Sequence, residues 1–210
     1  MASRTRNAGR TAFLSPEMTA FLRRRLQELA GIILFLAGLG LSVAILGYDS
    51  SDPSWNHSVA RAAANPLGLS GAWLSDILIQ SIGAAAILPG IVLMVWGWRI
   101  GAHRSMGRTW IRLSALPVML LLATVAFAAA GTPAGWPVKI GLGGITGSVL
   151  LADLAGLGSA LGLPLWSVAL VTAVLAVAAL GLTLGVSRDE WMTGLRRAGR
   201  IGGRVGETTA

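Results

Sequence analysis

The chain has 210 residues, of which 54% are hydrophobic and only 12% charged, with a formal net charge of +8. Soluble domains carry roughly 25% charged residues, so the composition excludes an ordinary water-facing surface and indicates an integral membrane protein. Cysteine is absent, which excludes disulfide frameworks, thiolate zinc sites and cysteine nucleophiles together.

Residues 1–14 carry Arg4, Arg6 and Arg10 and little apolar content, and read as a flexible basic arm. Ser15-Pro16-Glu17 is a helix start: a capping hydroxyl, Pro at the first helical position and an acid at the positive dipole end. Arg23-Arg24-Arg25 follow on the approach to the first span, where guanidiniums reach lipid phosphates while their stems cover apolar surface. That span runs over about 29–47, close to 28 Å at 1.5 Å per residue. Its length and the lack of a small-residue cleavage site favour an uncleaved anchor over a signal peptide. Tyr48-Asp49-Ser50-Ser51-Asp52-Pro53-Ser54-Trp55 then forms a polar turn, with the two rings suited to the headgroup layer.

Asn56-His57-Ser58 matches a glycosylation sequon that is frequent by chance. Asn65-Pro66 and Gly68 break the next stretch before a second span over about 77–98, where Pro89-Gly90 predicts a kink. Trp96 and Trp98 are expected to mark its far boundary. A basic loop, Arg99 to Arg112, leads to the third span over about 113–130. The region 136–163 is Gly-rich and carries Asp153. It is expected to form one or two short interfacial or re-entrant helices, buried in protein rather than facing lipid. A fourth span follows over about 165–185. The tail 187–210 is basic, with Trp191, Leu195 and Ile201 suggesting a surface helix. The domain reading is an arm (1–14), a four-span membrane domain (15–186) and a basic tail leading toward a linker (187–210). The fold class is all-α, an integral membrane four-helix bundle.

Charge sets the expected orientation. Of the Lys and Arg residues, only Arg61 and Lys139 lie outside the two ends and the central loop. Positive residues stay on the cytoplasmic side, so both termini are expected there. Trp55, Trp73, Trp136 and Trp166 then fall at the outer boundary, and Trp96, Trp98, Trp110 and Trp191 at the inner one.

Catalytic chemistry is hard to find. Lys139 is the only lysine, so no Walker A sequence exists. Gly141-Leu-Gly-Gly-Ile-Thr146 approaches a dinucleotide fingerprint but has Thr where the third glycine belongs. His57 and His103 fall on opposite sides of the membrane and cannot share a metal. No catalytic, cofactor or metal site is predicted. The polar residues within the spans, Ser42, Gln80, Ser81, Thr124, Thr172 and Thr183, are not ionisable, and interhelical hydrogen bonding accounts for them. Gly181 and Gly185, with Ala169 and Ala173, form a small-residue stripe suited to close helix packing within or between subunits, and a homo-oligomer is expected. The basic ends could attract nucleic acid, but orientation and contact with the lipid bilayer explain their one-sidedness, so direct nucleic-acid binding is not expected.

The stretch Tyr48 to Trp55, directly after a first span, resembles the amino-terminal membrane domain of FtsK/SpoIIIE-type DNA translocases. Asn65 to Asp76, Leu88-Pro89 with Trp96-Gly-Trp-Arg99, and the glycines from Gly141 to Gly147 are similar to the same family. Ser50 stands where the family often has Pro. The resemblance covers about residues 26–185. It implies an inner-membrane domain that anchors a linker and a hexameric ATPase at the division septum, supporting the division machinery and chromosome segregation. The sequence is then expected to be the anchor of a longer protein, with the motor absent from it. Tyr48, Asp49, Asp52, Pro53 and Trp55 are the candidate surface for division-machinery membrane proteins, or else a structural exit turn. The alternative function is an oligomeric small-solute channel or carrier.

Overall fold

The computed structural model describes residues 15–55, 59–104 and 106–185. The basic arm, the sequon with His57, and the tail with Trp191, Leu195 and Ile201 lie outside the described residues. The elements are α1 (Pro16–Leu46), α2 (Gly68–Ile82), a 3-10 turn (Gly83–Ala86), α3 (Ile87–Gly101), α4 (Thr109–Ala129), α5 (Gly144–Ala160) and α6 (Leu165–Leu184). Four stretches are long and apolar enough to cross a bilayer: Pro16–Leu46, Gly68–Gly101, Thr109–Ala129 and Leu165–Leu184. Among the described residues the architecture is all-helical, with four stretches able to cross a membrane.

The start of α1 follows its sequence. Ser15 Oγ accepts from the Met18 N–H at 3.2 Å, Pro16 opens the first turn and Glu17 sits within it. At 31 residues the helix is about 46 Å long, longer than the ~30 Å hydrocarbon layer. The span expected over 29–47 is therefore the distal part of a longer rod. On the proximal part Glu28 accepts from Arg25 at 2.7 Å and lies 3.1 Å from His103 Nε2, tying α1 to the α3–α4 loop.

The second span departs from expectation. Its break lies at Gly83–Ala86, not at Pro89-Gly90. Pro89 falls in the first turn of α3, where its missing N–H breaks no helical bond. Gly83 supplies the turn instead, with φ of +61°. Both ends of α2 sit near the end of α1: Asn65, just before it, bonds the carbonyls of Ala44 and Gly47, and Ala86, just after it, packs with Ile45. A 15-residue helix is about 22 Å long, so α2 lies across the end of the bundle, and the turn and α3 make the crossing.

Packing inverts the soluble pattern. Ala44, Ala72, Ala85, Ala86, Ala123, Ala176 and Ala179 are buried, while most of the large aliphatic side chains point outward. Lipid removes the hydrophobic drive between helices, so small residues that let backbones approach take the interior. The most extensive contact joins α1 to α3. A Cβ on Gly31 would lie 2.5 Å from the Gly101 nitrogen, one on Gly38 2.6 Å from the Gly90 carbonyl, and one on Gly97 2.5 Å from the Phe35 nitrogen. The two backbones touch along this seam. Against α3, α6 runs antiparallel to α4, placing Met119 with Ala179 and Ala123 with Ala176.

Two further expectations are corrected. Region 136–163 yields one helix, α5, whose Gly-rich start is buried against Thr124 while Ile145, Val149 and Leu157 are exposed. Only one face needs small residues, so most of α5 is not covered by protein. Trp96 is buried rather than interfacial, and its indole N–H donates to the Thr183 carbonyl at 2.8 Å. Gly185 caps α6 in the left-handed conformation, with its Cα against the Arg112 guanidinium. The buried residues of α6 are Thr172, Ala176, Ala179, Gly181 and Thr183.

Candidate interaction site at the α1–α2 loop

Residues 47–67 return the chain from α1 to α2, and buried polar groups hold them. The Asp52 side chain is buried, and its carboxylate accepts the Ala64 N–H at 2.7 Å, the Asn65 N–H at 3.0 Å and Arg61 Nη2 at 3.1 Å. Burial raises its pKa, but the Ala64 amide, Arg61 and the Asn65 amide outweigh that effect and hold it below the usual carboxylate range. Asn65 extends the lock: its amide donates to the carbonyls of Ala44 and Gly47 at 2.9 and 3.1 Å, satisfying groups left open at the end of α1. Its Oδ1 accepts from the Leu67 N–H at 3.1 Å.

Asp49 is more exposed. It accepts from the hydroxyl and amide of Ser51 at 2.6 and 2.8 Å and pairs with Arg61 at 3.4 Å. The Ser51 hydroxyl and amide lower its pKa. Tyr48 points toward α2, where its hydroxyl donates to Asp76 Oδ1 at 3.1 Å, and Gln80 donates to the same oxygen at 2.7 Å. Burial, reinforced by the Asp76 charge, pushes the phenol up to about 12. Asp76, just ahead of the span expected over 77–98, thus lies inside α2 and is buried.

The motif divides by role. Tyr48 and Asp52 turn inward on α2 and the loop, Asp49 stays partly exposed, Pro53 is half-buried, and Trp55 is 77% exposed. Trp55 meets Trp73 of α2 edge-to-face, with ring centroids 6.1 Å apart. Beside the pair opens a cleft of about 420 Å³ lined by Trp55, Asp76, Ile77, Gln80, Ser81 and Ile145. Arg61, Asn65 and Trp73 complete the site although none was singled out for it. Asn65-Pro66 reads in sequence as a helix breaker, and nothing in the spacing announces that its side chain caps α1.

A second polar cluster lies at the opposite end of the bundle. Arg112, in the first turn of α4, is 9% exposed and donates to Met106 Sδ at 3.4 Å. Arg99 ends α3 with its Nε buried and unpartnered. Among the described residues no group of three or more His, Asp or Glu side chains could hold a metal ion.

Residues 23–199 match the family described as the 4TM region of DNA translocase FtsK/SpoIIIE. The chain belongs to that family. Relatives named DNA translocase FtsK include one from Azospirillum brasilense, 38% identical over 92% of this chain and 31% of the relative. Another, from Caulobacter vibrioides, is 36% identical over 74% of this chain and 20% of its own length. A third, from Bradyrhizobium diazoefficiens, is 34% identical over 66% of this chain and 17% of its own. The chain therefore spans less than a third of the relatives it matches. No solved structure matches it. Family membership and four apolar stretches together make this a multi-pass inner-membrane region of the FtsK/SpoIIIE 4TM family.

Proposed function

We propose that this region anchors an FtsK-type motor at the division septum and docks membrane proteins of the division machinery through the α1–α2 loop, with both termini cytoplasmic. The observation that carries the docking role is the exposed Trp55–Trp73 pair, on a loop whose base is held by the buried Asp52 carboxylate. A rigid, half-exposed aromatic pair beside a cleft is the form of anchor that interfaces favour. The orientation rests on the concentration of Arg at the two ends and the α3–α4 loop. The loop side then faces the periplasm, where the outer segments of division proteins lie.

The test is a Trp55→Ala/Trp73→Ala variant of the full-length protein, followed by fluorescence at septa. Normal membrane insertion with loss of septal recruitment is expected. Unchanged recruitment would leave the motif as an exit turn only. Cysteine accessibility at position 59, in a chain that otherwise has none, reads the orientation directly.

A further inference from the structure

We infer that Arg99 and Arg112 form a binding site for the phosphate of an anionic phospholipid headgroup, built where α3 ends, α4 begins and α6 stops. The end of α6 and the α3–α4 loop close on Arg112. Its guanidinium lies on Gly185 at the C-cap of α6, its Nη1 donates to Met106 Sδ, and a Cβ on Gly107 would stand 3.5 Å from its Nη2. Trp96, one turn before Arg99, donates to the Thr183 carbonyl two residues before Gly185, which brings Arg99 to the same end of α6 as Arg112. Yet neither forms an ion pair with a carboxylate among the described residues; Glu28, at the same end, is engaged by Arg24, Arg25 and His103.

The thioether is a weak acceptor, and the C-terminal dipole of α6 amounts to about half a charge. Two guanidiniums, one of them largely buried, are therefore under-compensated. A guanidinium presents donors in a fork that matches phosphate oxygens. Depth selects the source of that phosphate. Trp98 and Trp110 flank the pair and are 64% and 70% exposed, the placement of rings at the headgroup layer. A lipid phosphodiester sits at that layer, and its tails would lie along the apolar surfaces of the helices that end there.

The site would do more than hold a lipid. A phosphate bridging Arg99 and Arg112 would join the α1–α3 pair to the α4–α6 pair.

The experiment uses the full 210-residue chain, purified in a neutral detergent and delipidated. Thermal unfolding is followed while phosphatidylglycerol, phosphatidylcholine or inorganic phosphate is titrated. Phosphatidylglycerol is expected to raise the midpoint more than phosphatidylcholine does. Arg99→Gln, which leaves the buried Arg112 and the helix ends intact, is expected to weaken the effect of phosphatidylglycerol about tenfold. Lys139→Gln, exposed at the opposite end of the bundle, should leave that effect unchanged. An equal response of wild type and Arg99→Gln would overturn the proposal. Inorganic phosphate matching phosphatidylglycerol at equal concentration would make this a free-anion site and overturn the lipid assignment. A phosphatidylglycerol response that appears only in an Asp189→Asn/Glu190→Gln variant would show the site filled by carboxylates of the chain itself, again overturning it.

Discussion

Replacing Asp52 tests the loop most directly. The carboxylate accepts two backbone N–H groups and one guanidinium nitrogen. Asp52→Ala strands the Asn65 amide in a buried position and leaves the partly buried Ala64 amide to water. An unsatisfied buried donor costs about 1–3 kcal/mol, and a hydrogen bond to a charged group contributes about 1.5–3 kcal/mol. The half-exposed Arg61 adds little, because water screens it. The expected loss is about 3 kcal/mol for Asp52→Ala and about 2 kcal/mol for Asp52→Asn, which keeps one acceptor oxygen. Asp49→Ala, whose partners are exposed, should cost less than either. Unfolding in mixed micelles gives the global value, and hydrogen exchange at the Ala64 and Asn65 amides gives the local one. The folded pKa of Asp52 is depressed, so its contribution is complete above the unfolded carboxylate value of about 3.9. It is lost as pH falls through the lower folded value, when the carboxyl takes up a proton. Asp52→Asn should abolish that acid-side dependence. Wild-type stability and unchanged exchange in Asp52→Ala would refute the lock.

Tyr48 is the only tyrosine, so tyrosinate absorbance reports it alone. Its midpoint should fall at about 12 rather than the ordinary value of about 10, with Asp76→Asn lowering it. The stabilisation from the raised phenol is present below the unfolded value and disappears as pH rises through the folded one. A wild-type midpoint at the ordinary value would remove the Tyr48–Asp76 contact. In the α1–α3 seam, Gly97→Ala should destabilise by about 1–3 kcal/mol, the usual cost of overpacking, because the new methyl meets backbone. Gly40→Ala is the contrast, meeting only a leucine methyl at 3.9 Å, and should gain up to about 1 kcal/mol of helix propensity; equal responses would argue against backbone contact. Trp96→Phe should lose about 1 kcal/mol with its bond to the Thr183 carbonyl, whereas Trp98→Phe should be near neutral in the same unfolding assay.

Sequence revealed what local chemistry decides. The Ser15-Pro16 start, the apolar stretches and the polar return after α1 each depend on neighbours a few residues away. What it hid depends on facing partners. Gly31 and Gly38 are seven apart, as are Gly90 and Gly97, a matched spacing that becomes a seam only when α3 lies beside α1. Trp96 and Trp98 look equivalent in sequence, but two helical steps turn them about 200° apart, one into the core and one outward. Proline drew attention to residue 89, although the first turn of a helix tolerates it. Glycine at 83 was the sharper signal, since the turn requires a positive φ there. Within the site, Asp52 was visible, whereas its hold on residues 61, 64 and 65 was not, because a nine- to thirteen-residue excursion has no periodicity to read.

The position of the seam in the chain sets an order of assembly. Every residue that closes α1 on α3 precedes Ala102, so this pair can form while the rest is still being synthesised, as parts nearer the N-terminus do in general. The second half then arrives at a surface already made. The bonds joining the halves, from Ala84 to the Leu142 carbonyl and from Trp96 to the Thr183 carbonyl, can be made only afterward. A lesion in the seam would thus act early, at the biogenesis of the first hairpin, and a lesion at Trp96 late, at its closure by the last helix.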